Sequence, residues 1–455
     1  MLSRVRRLGR RMRRPGSSRL FRCLVVADVD LDTGTATPRP VLTPFAEPPE
    51  GVHAFVWLHG VPVAELTLAG DPVVLIQDLP RLARQAAAEA VADHLAQHRP
   101  GDGRPVDERM PCTAEDDPWR ATADGGLLTV VVCTRDRPDD LELCLTALDA
   151  MTVDVAEVLV VDNASTTDHT REVVASHPRA RYVREPRRGL DWARNRGLIE
   201  TRTPLVAYVD DDVLVHPRYA EALLMAFAAH PDAGAVTGLV TPAELSTPAQ
   251  VQFEAAGGFG RGYRRRRLQA ASTDPHDTAR VVFHIGAIGT GASMAFRRER
   301  ILAVGGFDPA LDVGTPTRGG GDLEAMCRLL TAGDLLVYEP AVVVRHRHRR
   351  TMAELRAQRR SDGTGSASLL VGGGRKLGPT HHRQWKLIAA RWFAKNTAWT
   401  LAGSLLWPRA RPMSLTLATA GGWIAALTRD YYREAVAQAR REAAAHPDEP
   451  VLHPL

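Results

Sequence analysis

Blocks of apolar and polar positions alternate along the middle of the chain. From Leu127 the run LLTVVVCT is apolar without interruption, which is typical of a strand buried on both faces of a sheet. DDLELCLTALDAM then has the spacing of an amphipathic helix, and AEVLVVDNAS indicates the next strand. The same order continues through ARYVREP, LDWARNRGLIET and PLVAYVDDD. This alternation predicts an α/β fold with a mostly parallel, Rossmann-like sheet and covering helices.

The pattern changes on either side of this block. Short strands are predicted before residue 80, two of them joined by a turn at His59-Gly60, and residues 81–98 predict an alanine-rich helix. Past about residue 375 the pattern is helical. We therefore divide the chain as follows: a basic arm, expected to be disordered, at 1–19; a small N-terminal α/β accessory domain at 20–100; a linker at 101–126; the main α/β domain at 127–360; and a helical C-terminal region at 361–455.

Polar clusters follow three strands of the predicted sheet. They are Thr134-Arg135-Asp136, Asp162-Asn163 and Asp210-Asp211-Asp212. In open sheets of this class, ligands gather at the carboxyl ends of the strands. The sequence therefore predicts one shared site at this edge.

Three adjacent carboxylates repel one another, so the run from Asp210 to Asp212 requires a reason. Carboxylate oxygens are the ligands that hard divalent cations such as Mg²⁺ prefer, and a cation would offset the repulsion. The alternative is that Asp212 caps a following helix. The residues alone leave both interpretations open.

Composition limits the classes of function. The net charge is +5, with basic clusters at 1–19, 261–269 and 345–350 that suit phosphates or anionic lipid. The clusters lack interleaved aromatic residues, so no nucleic-acid partner is expected. The five cysteines form no CxxC pair, which favours a reducing cytosol.

The sequence shows neither an apolar signal core nor an apolar run of the roughly 20 residues that a membrane span needs. We expect a cytoplasmic protein. Contact with the inner membrane surface, through the basic arm and the segments around Trp407 and Trp423, is one alternative, and a fully soluble enzyme is the other.

Several motifs follow one another in a fixed order. They are VVVCTRDRPDDLELCLTAL, VLVVDNASTTDHT, GLDWARNRGL and YVDDDVLVHP, then FHIGAIGTGASMAFRRERILAVGGFD, GGGDLEAMCRLLTAGDLLVYEP and VVVRHRHRR. Each alone is weak, but together they resemble the inverting nucleotide-sugar glycosyltransferases of family 2, which have the GT-A fold. The resemblance covers about residues 127–360.

The resemblance implies roles for individual residues. Asp210 and Asp212 match the DxD motif, which holds Mg²⁺ or Mn²⁺ against the donor diphosphate, with Asp212 expected as the more direct ligand. Donor-nucleotide binding is implied for the following side chains: Thr134, Arg135, Asp136, Asp162, Arg194, Asn195, Asp210 and Asp211.

A general base is implied at the start of a later helix. Family members carry a Glu-Asp pair there, but this chain has Gly321-Asp322, so Asp322 is the expected base. The alternative is a helix N-cap. Glu324 and the small residues Gly289 and Gly291 are expected near the donor sugar and acceptor, because small residues let backbone approach a ligand closely.

RHRHRR follows a predicted strand near the end of the resemblance. Related enzymes place a histidine here near the metal or the phosphates, and His346 fits this role better than His348. Alternate residues of an extended segment share a face, so Arg345, Arg347 and Arg349 are expected to project together away from the histidines.

The resemblance implies transfer of a sugar from a nucleoside-diphosphate sugar, with UDP expected, to an unknown acceptor, for which a lipid-linked molecule is one candidate. The composition suggests synthesis of a cell-envelope glycan or of a glycosylated metabolite. One rival, a nucleotidyltransferase, needs a glycine-rich signature loop that CTRDRPDD lacks. The other is a nonenzymatic sugar- or polyanion-binding protein on a degraded transferase scaffold, which the missing glutamate favours.

Overall fold

The computed structural model describes residues 21–97, 124–269, 285–376, 379–406 and 411–453. The basic arm predicted at 1–19, and the predicted linker up to residue 123, lie outside these described residues. Within them, an N-terminal sheet unit precedes a central sheet and a set of C-terminal helices.

The N-terminal unit is a four-stranded sheet in the order β2-β1-β3-β4. Its elements are β1 (Val25–Asp30), β2 (Thr35–Pro38), β3 (Gly51–Leu58), β4 (Val61–Ala69), α1 (Pro72–Ala86) and α2 (Ala88–Gln97). The predicted turn joins β3 to β4, with φ of 55° at His59 and 70° at Gly60, as a two-residue hairpin favours. The helix predicted to begin at residue 81 begins earlier, because Asp71 accepts a hydrogen bond from the amide of Val73 and caps it.

The central unit alternates strands and helices as predicted. Its first elements are β5 (Leu128–Thr134), α3 (Pro138–Asp149), β6 (Glu157–Asn163), α4 (His169–Ala175), β7 (Ala180–Glu185), α5 (Leu190–Glu200), β8 (Leu205–Asp210), β9 (Val213–Val215) and α6 (Tyr219–Ala229). Its later elements are β10 (Ala233–Pro242), α7 (Pro248–Ala255), β11 (Arg266–Leu268), β12 (Ser293–Arg297), α8 (Arg298–Ala303), α9 (Gly321–Thr331) and β13 (Leu335–His346).

The central sheet runs in the order β11-β13-β10-β12-β8-β5-β6-β7, with β9 paired to β13. Strands β8, β5, β6 and β7 are mutually parallel, and β13 is parallel to β10. The predicted α/β fold with covering helices is confirmed. The sheet is mixed, since β12 runs antiparallel to both β8 and β10.

Helices cover both faces of this sheet. In β5, Val130 and Val132 join a core that includes Leu141 and Leu145 of α3, whereas Val131 packs on the opposite face with Ala193 of α5. All these side chains are at most 1% exposed. Burial on both faces explains why β5 is apolar without interruption.

The three aspartates lie between two strands. Asp210 ends β8, and Val213 begins β9, which pairs antiparallel with β13. The alternative that Asp212 caps a helix is wrong, because a strand follows it. Asp322 is likewise not a cap, since Gly320 holds that position before α9.

The C-terminal helices are α10 (Met352–Lys376), α11 (Pro379–Leu406), α12 (Met413–Thr428) and α13 (Tyr431–Ala445). The predicted helical region is confirmed, and it begins at Met352, before the boundary we set at residue 361. Trp423, which the membrane-contact alternative would place at the surface, is buried: it is 5% exposed, and its ring centroid lies 5.0 Å from that of Phe393. Trp407 lies outside the described residues.

No helix among the described residues combines the length and the apolar character that crossing a membrane requires.

Candidate active site

A cavity of about 660 Å³ opens at the carboxyl ends of β5, β6 and β8. It is the shared site predicted from the polar clusters, because parallel strands bring their carboxyl ends to one edge. The predicted site residues that line it are Thr134, Arg135, Arg194, Asp210, Asp211, Asp212, Gly289, Gly291, Asp322 and His346.

Asp210, Asp212 and His346 form a group that could hold a metal ion. One carboxylate oxygen from each aspartate and one imidazole nitrogen all lie within 4.8 Å of one another. The Nε2 atom of His346 lies 3.3 Å from Oδ1 of Asp212. Two carboxylates and an imidazole are a donor set that Mn²⁺ accepts, and Mg²⁺ takes such oxygen ligands. These residues therefore fit the divalent cation implied by the DxD motif.

A hydrogen-bonded chain lies behind His346. Its Nδ1 lies 3.0 Å from Nδ1 of His348, and Nε2 of His348 lies 2.6 Å from Oε1 of Glu254. Such a chain fixes the ring and directs Nε2 toward the metal group. His348 thus supports His346 from behind, which agrees with the choice of His346 as the ligand.

Arg137 balances the charge of the aspartates. It pairs with Asp211, and its Nη2 lies 3.1 Å from Oδ2 of Asp212. Burial raises the pKa of Asp210 to about 6 and that of Asp211 to about 7. Burial also opposes ionisation of Asp212, yet His346 and Arg137 lower its pKa. Burial lowers the pKa of His346 to about 4, which favours a neutral imidazole at pH 7, so the positive charge beside Asp212 comes from Arg137 and from Arg349 at 3.9 Å.

Arg194 is a second cation beneath the cavity. It is 7% exposed, and its Nη1 donates to Oδ1 of Asp191 at 2.9 Å. Its Nη2 lies 3.9 Å from Oδ1 of Asp210. Arg194 thereby links helix α5 to the metal group.

Asp322, at the start of α9, lines the same cavity as the metal group and Arg194. Its Oδ2 accepts a hydrogen bond from the amide of Gly291 at 2.7 Å. A Cβ at position 291 would lie 2.8 Å from both Asp322 and Arg194, so only glycine lets the backbone approach them. Gly319 and Gly320, with φ of 128° and 109°, bend the chain into the helix.

One face of helix α10 forms the opposite wall of the cavity. The residues recur at helical spacing, so they share a face. Apart from one arginine they are small or lack positive charge: Gln358, Arg359, Ser361, Asp362, Gly365 and Ser366.

Four predicted site residues do not line the cavity. Asp136, in a turn with φ of 53°, accepts hydrogen bonds from Thr166. Asp162 accepts them from Tyr182 at 2.6 Å, and because side chains alternate along β6 its neighbour Asn163 faces the cavity instead.

The other two are held within the core. The side chain of Asn195 bonds to both the amide and the carbonyl of Phe307. Glu324 lies in a separate buried group with Asp308 and His453, and it pairs with Arg328. These side chains support the elements around the site, and the structure does not place them in it.

The basic run after β13 also differs from expectation. Arg345 contacts Asp28, Arg347 pairs with Asp140, and Arg349 lies 3.9 Å from Asp212 and lines the cavity. The three arginines do not project together, because β13 ends at His346 and the alternation ends with it. Arg137, Asp191 and Arg349 are therefore cavity residues that our sequence reasoning missed.

Residues 129–299, within the central domain, match the family model described as glycosyl transferase family 2. The resemblance seen in its motifs is confirmed.

Two named glycosyltransferases match part of the chain. A pre-mycofactocin glycosyltransferase of Mycobacterium tuberculosis is 29% identical over 247 residues, or 54% of this chain and 47% of that protein. A validoxylamine A glucosyltransferase of Streptomyces hygroscopicus is 37% identical over 125 residues, or 26% of this chain and 29% of that protein. The matched part thus spans less than half the length of either relative.

Among solved structures, a mannosyltransferase from Pyrobaculum calidifontis, in complex with GDP-Man and Mn²⁺, has a TM-score of 0.40 and is 22% identical. The match covers 70% of this chain and 86% of that one.

Proposed function

We propose that this chain transfers a sugar from a nucleoside-diphosphate sugar, with UDP the expected nucleotide, to an acceptor hydroxyl with inversion of the anomeric carbon. One observation carries the proposal. A group suited to a divalent metal and a separate carboxylate, Asp322, line the same cavity of about 660 Å³. A single displacement needs a stabilised leaving group and a base. The metal group is the candidate for the first role, and Asp322 is the candidate for the second.

Asp210, Asp212 and His346 would hold Mg²⁺ or Mn²⁺ on the donor side. When bound, the ion would supply positive charge to the diphosphate of the departing nucleotide. Arg349 also lines the cavity and brings a further cation for phosphate oxygens. Thr134 and Arg135, which follow β5, are proposed to meet the nucleoside.

Asp322 is the proposed general base. Its carboxylate takes the proton from the acceptor hydroxyl while the hydroxyl oxygen bonds to the anomeric carbon and the bond from that carbon to the nucleotide breaks. The amide of Gly291 holds one oxygen of Asp322 at 2.7 Å, which leaves the other for the acceptor.

The polar face of α10 is the proposed wall for the acceptor. Amide, hydroxyl and carboxylate groups in this wall suit a hydrogen-bonding head group. A lipid-linked acceptor remains a candidate, and so does a role in a cell-envelope glycan.

Peripheral contact with an anionic membrane is part of this proposal. Basic residues contribute about 1 kcal/mol each near such a surface, and the segment 1–19 is rich in arginine. Exposed apolar side chains on the C-terminal helices offer further contact: Trp399, Leu405, Leu406, Leu417 and Ile424. Flotation with phosphatidylserine vesicles at low and high salt tests the idea, and absence of binding at low salt contradicts it.

A donor screen tests the proposed activity. UDP-, GDP- and dTDP-linked sugars are incubated with the protein and Mg²⁺ or Mn²⁺, and nucleotide release is measured with and without EDTA. We expect one nucleotide class to be hydrolysed in a metal-dependent way. Binding of UDP, GDP or dTDP without release from any donor would favour the nonenzymatic sugar-binding alternative.

A further inference from the structure

A carboxylate from another helix occupies the space beside Asp322. Position 321 is glycine, and a Cβ there would lie 1.8 Å from Oδ2 of Asp191. Asp191 is the second residue of α5, and it is far from α9 in sequence. A side chain at position 321 therefore has no room while Asp191 is present.

The two oxygens of Asp191 have different surroundings. Oδ1 accepts a hydrogen bond from Arg194 at 2.9 Å, whereas Oδ2, which faces Gly321, has no hydrogen-bond partner among the described residues. The side chain is 1% exposed and lines the cavity. An unpartnered buried carboxylate oxygen is unfavourable for folding, so its presence requires another reason.

The loops on either side hold Asp191 in place. Its backbone amide donates to Oδ2 of Asp312 at 2.7 Å. Asp191 binds Arg194, and Asp322 directly follows Gly321. The side chains of Arg194 and Asp322 both lie close to Gly291. The carboxylate of Asp191 thus lies between Arg194, which is near the metal group, and Asp322, the proposed base.

We propose that Asp191 is a positioning residue: its carboxylate sets the start of α9 against Arg194 and thereby fixes where Asp322 meets the acceptor. This inference rests on the proposed transferase function. A negative charge suits the N-terminal end of a helix, and α9 has no side-chain cap of its own.

The stability of the protein should separate this role from a purely structural one. Burial raises the pKa of Asp191 well above its ordinary value, Arg194 opposes the shift, and Asp312 adds to it. Asparagine keeps the shape of the side chain and can still accept the hydrogen bond from Arg194, but the buried Arg194 cation then loses its charged partner. Asp191→Asn should therefore lower turnover by more than its change in melting temperature accounts for.

The experiment moves the carboxylate from one helix to the other. The variants are Asp191→Asn, Asp191→Gly, Gly321→Glu and the double variant Asp191→Gly with Gly321→Glu. Nucleotide release is measured for whichever of UDP-glucose, GDP-mannose and dTDP-glucose the wild type hydrolyses fastest with Mn²⁺. Glu200→Gln, at the far end of α5, is the control, and melting temperatures are recorded for all.

We expect Asp191→Asn to lower kcat about tenfold or more, with donor KM within about twofold, since a positioning residue acts in the transition state. Gly321→Glu alone should lower both the melting temperature and kcat, because the new side chain overlaps Asp191. The double variant should recover about tenfold in kcat over Asp191→Gly, a coupling that independent sites do not show.

Two results would overturn the inference. One is an Asp191→Asn variant with wild-type kcat, and the other is a double variant whose losses are the sum of the single losses. A wild type that hydrolyses none of the donors is a different outcome, because it contradicts the proposed function itself.

Discussion

The guanidinium of Arg345 lies 3.2 Å from the carboxylate of Asp28. Asp28 is on β1 of the N-terminal unit, and Arg345 immediately precedes His346 at the end of β13. The same carboxylate accepts hydrogen bonds from Arg39 at 2.7 Å and from the indole of Trp57 at 2.9 Å. The N-terminal unit therefore supports the strand that carries the histidine of the proposed metal group.

This pair predicts a pH-dependent contribution to stability. Burial opposes ionisation of Asp28, but Arg39 and Arg345 lower its pKa to about 2 from an ordinary value of 3.8. A folded-state pKa below the unfolded one stabilises the protein above about pH 4, and this stability is lost as pH falls toward 2. Asp28→Asn should lower the free energy of unfolding by about 2 kcal/mol at pH 7 and by much less at pH 3.

Urea denaturation at pH 7, 4 and 3 measures this difference. Asp78→Asn on α1 is the control, because its ion pair with Arg81 is exposed and should contribute little at any pH. A deficit of equal size at pH 7 and pH 3 would show that the charge of Asp28 is not what stabilises the contact.

Asp212→Ala should abolish metal-dependent binding of the nucleotide and leave the fold intact. Asp212 is one of the two carboxylates in the group with Asp210 and His346, and it is only 4% exposed, so its loss should leave the group with a single carboxylate. Titration of UDP in the presence of Mn²⁺ by calorimetry measures the loss. Asp168→Asn, an exposed residue before α4, is the matched control, and equal affinity in wild type and Asp212→Ala would remove Asp212 from the site.

Asp322→Asn should lower turnover strongly and barely change donor affinity. A general base contributes about 10² to 10⁴-fold to the rate, and its loss appears in kcat. Asparagine can still accept the hydrogen bond from Gly291, so the helix start should be preserved. A loss of less than about tenfold would assign Asp322 to the support of α9 and not to catalysis.

The sequence predicts most of the central fold because local patterns decide it. Strand β5 is apolar on both faces because helices cover both, and the motifs mark Asp210, Asp212, Asp322 and His346 without knowledge of the fold. The same reasoning expects Asp162 at the cavity, but the pairing of β6 with β7 brings it next to Tyr182, and it does not line the cavity.

Contacts between distant segments could not be predicted in the same way. Arg137 follows Asp136 in a loop, and its contact with Asp211 depends on how β5 and β8 lie side by side. The cavity wall formed by α10 was missed because the α10 sequence is polar and rich in glycine, with no amphipathic pattern to mark one face. A single chain also gives no signal that Asp191 and Gly321 share one space.

Ionisation of Asp362, on the cavity wall formed by α10, should lower the stability of the folded protein. Partial loss of hydration at the cavity wall raises the pKa of Asp362 to about 6, Arg359 opposes the shift, and Asp322 adds to it. The side chain is still 45% exposed, so solvent weakens the effect on stability. For an acid, a folded-state pKa above the unfolded one means that the folded state loses stability as pH rises from about 4 through 6. We therefore expect Asp362→Asn to raise the melting temperature slightly at pH 8 and to leave it unchanged at pH 4.

Glu354 on the same helix is a control of opposite sign. Hydrogen bonds from the backbone and side chain of Thr351 lower the pKa of Glu354, so its charge favours folding. Glu354→Gln should lower the melting temperature slightly at pH 8, where Asp362→Asn raises it. Scanning calorimetry of wild type and both variants at pH 4 and pH 8 measures these melting temperatures. If Asp362→Asn is less stable than wild type at pH 8, its carboxylate supports the fold, and the case for an acceptor-binding group at this position is lost.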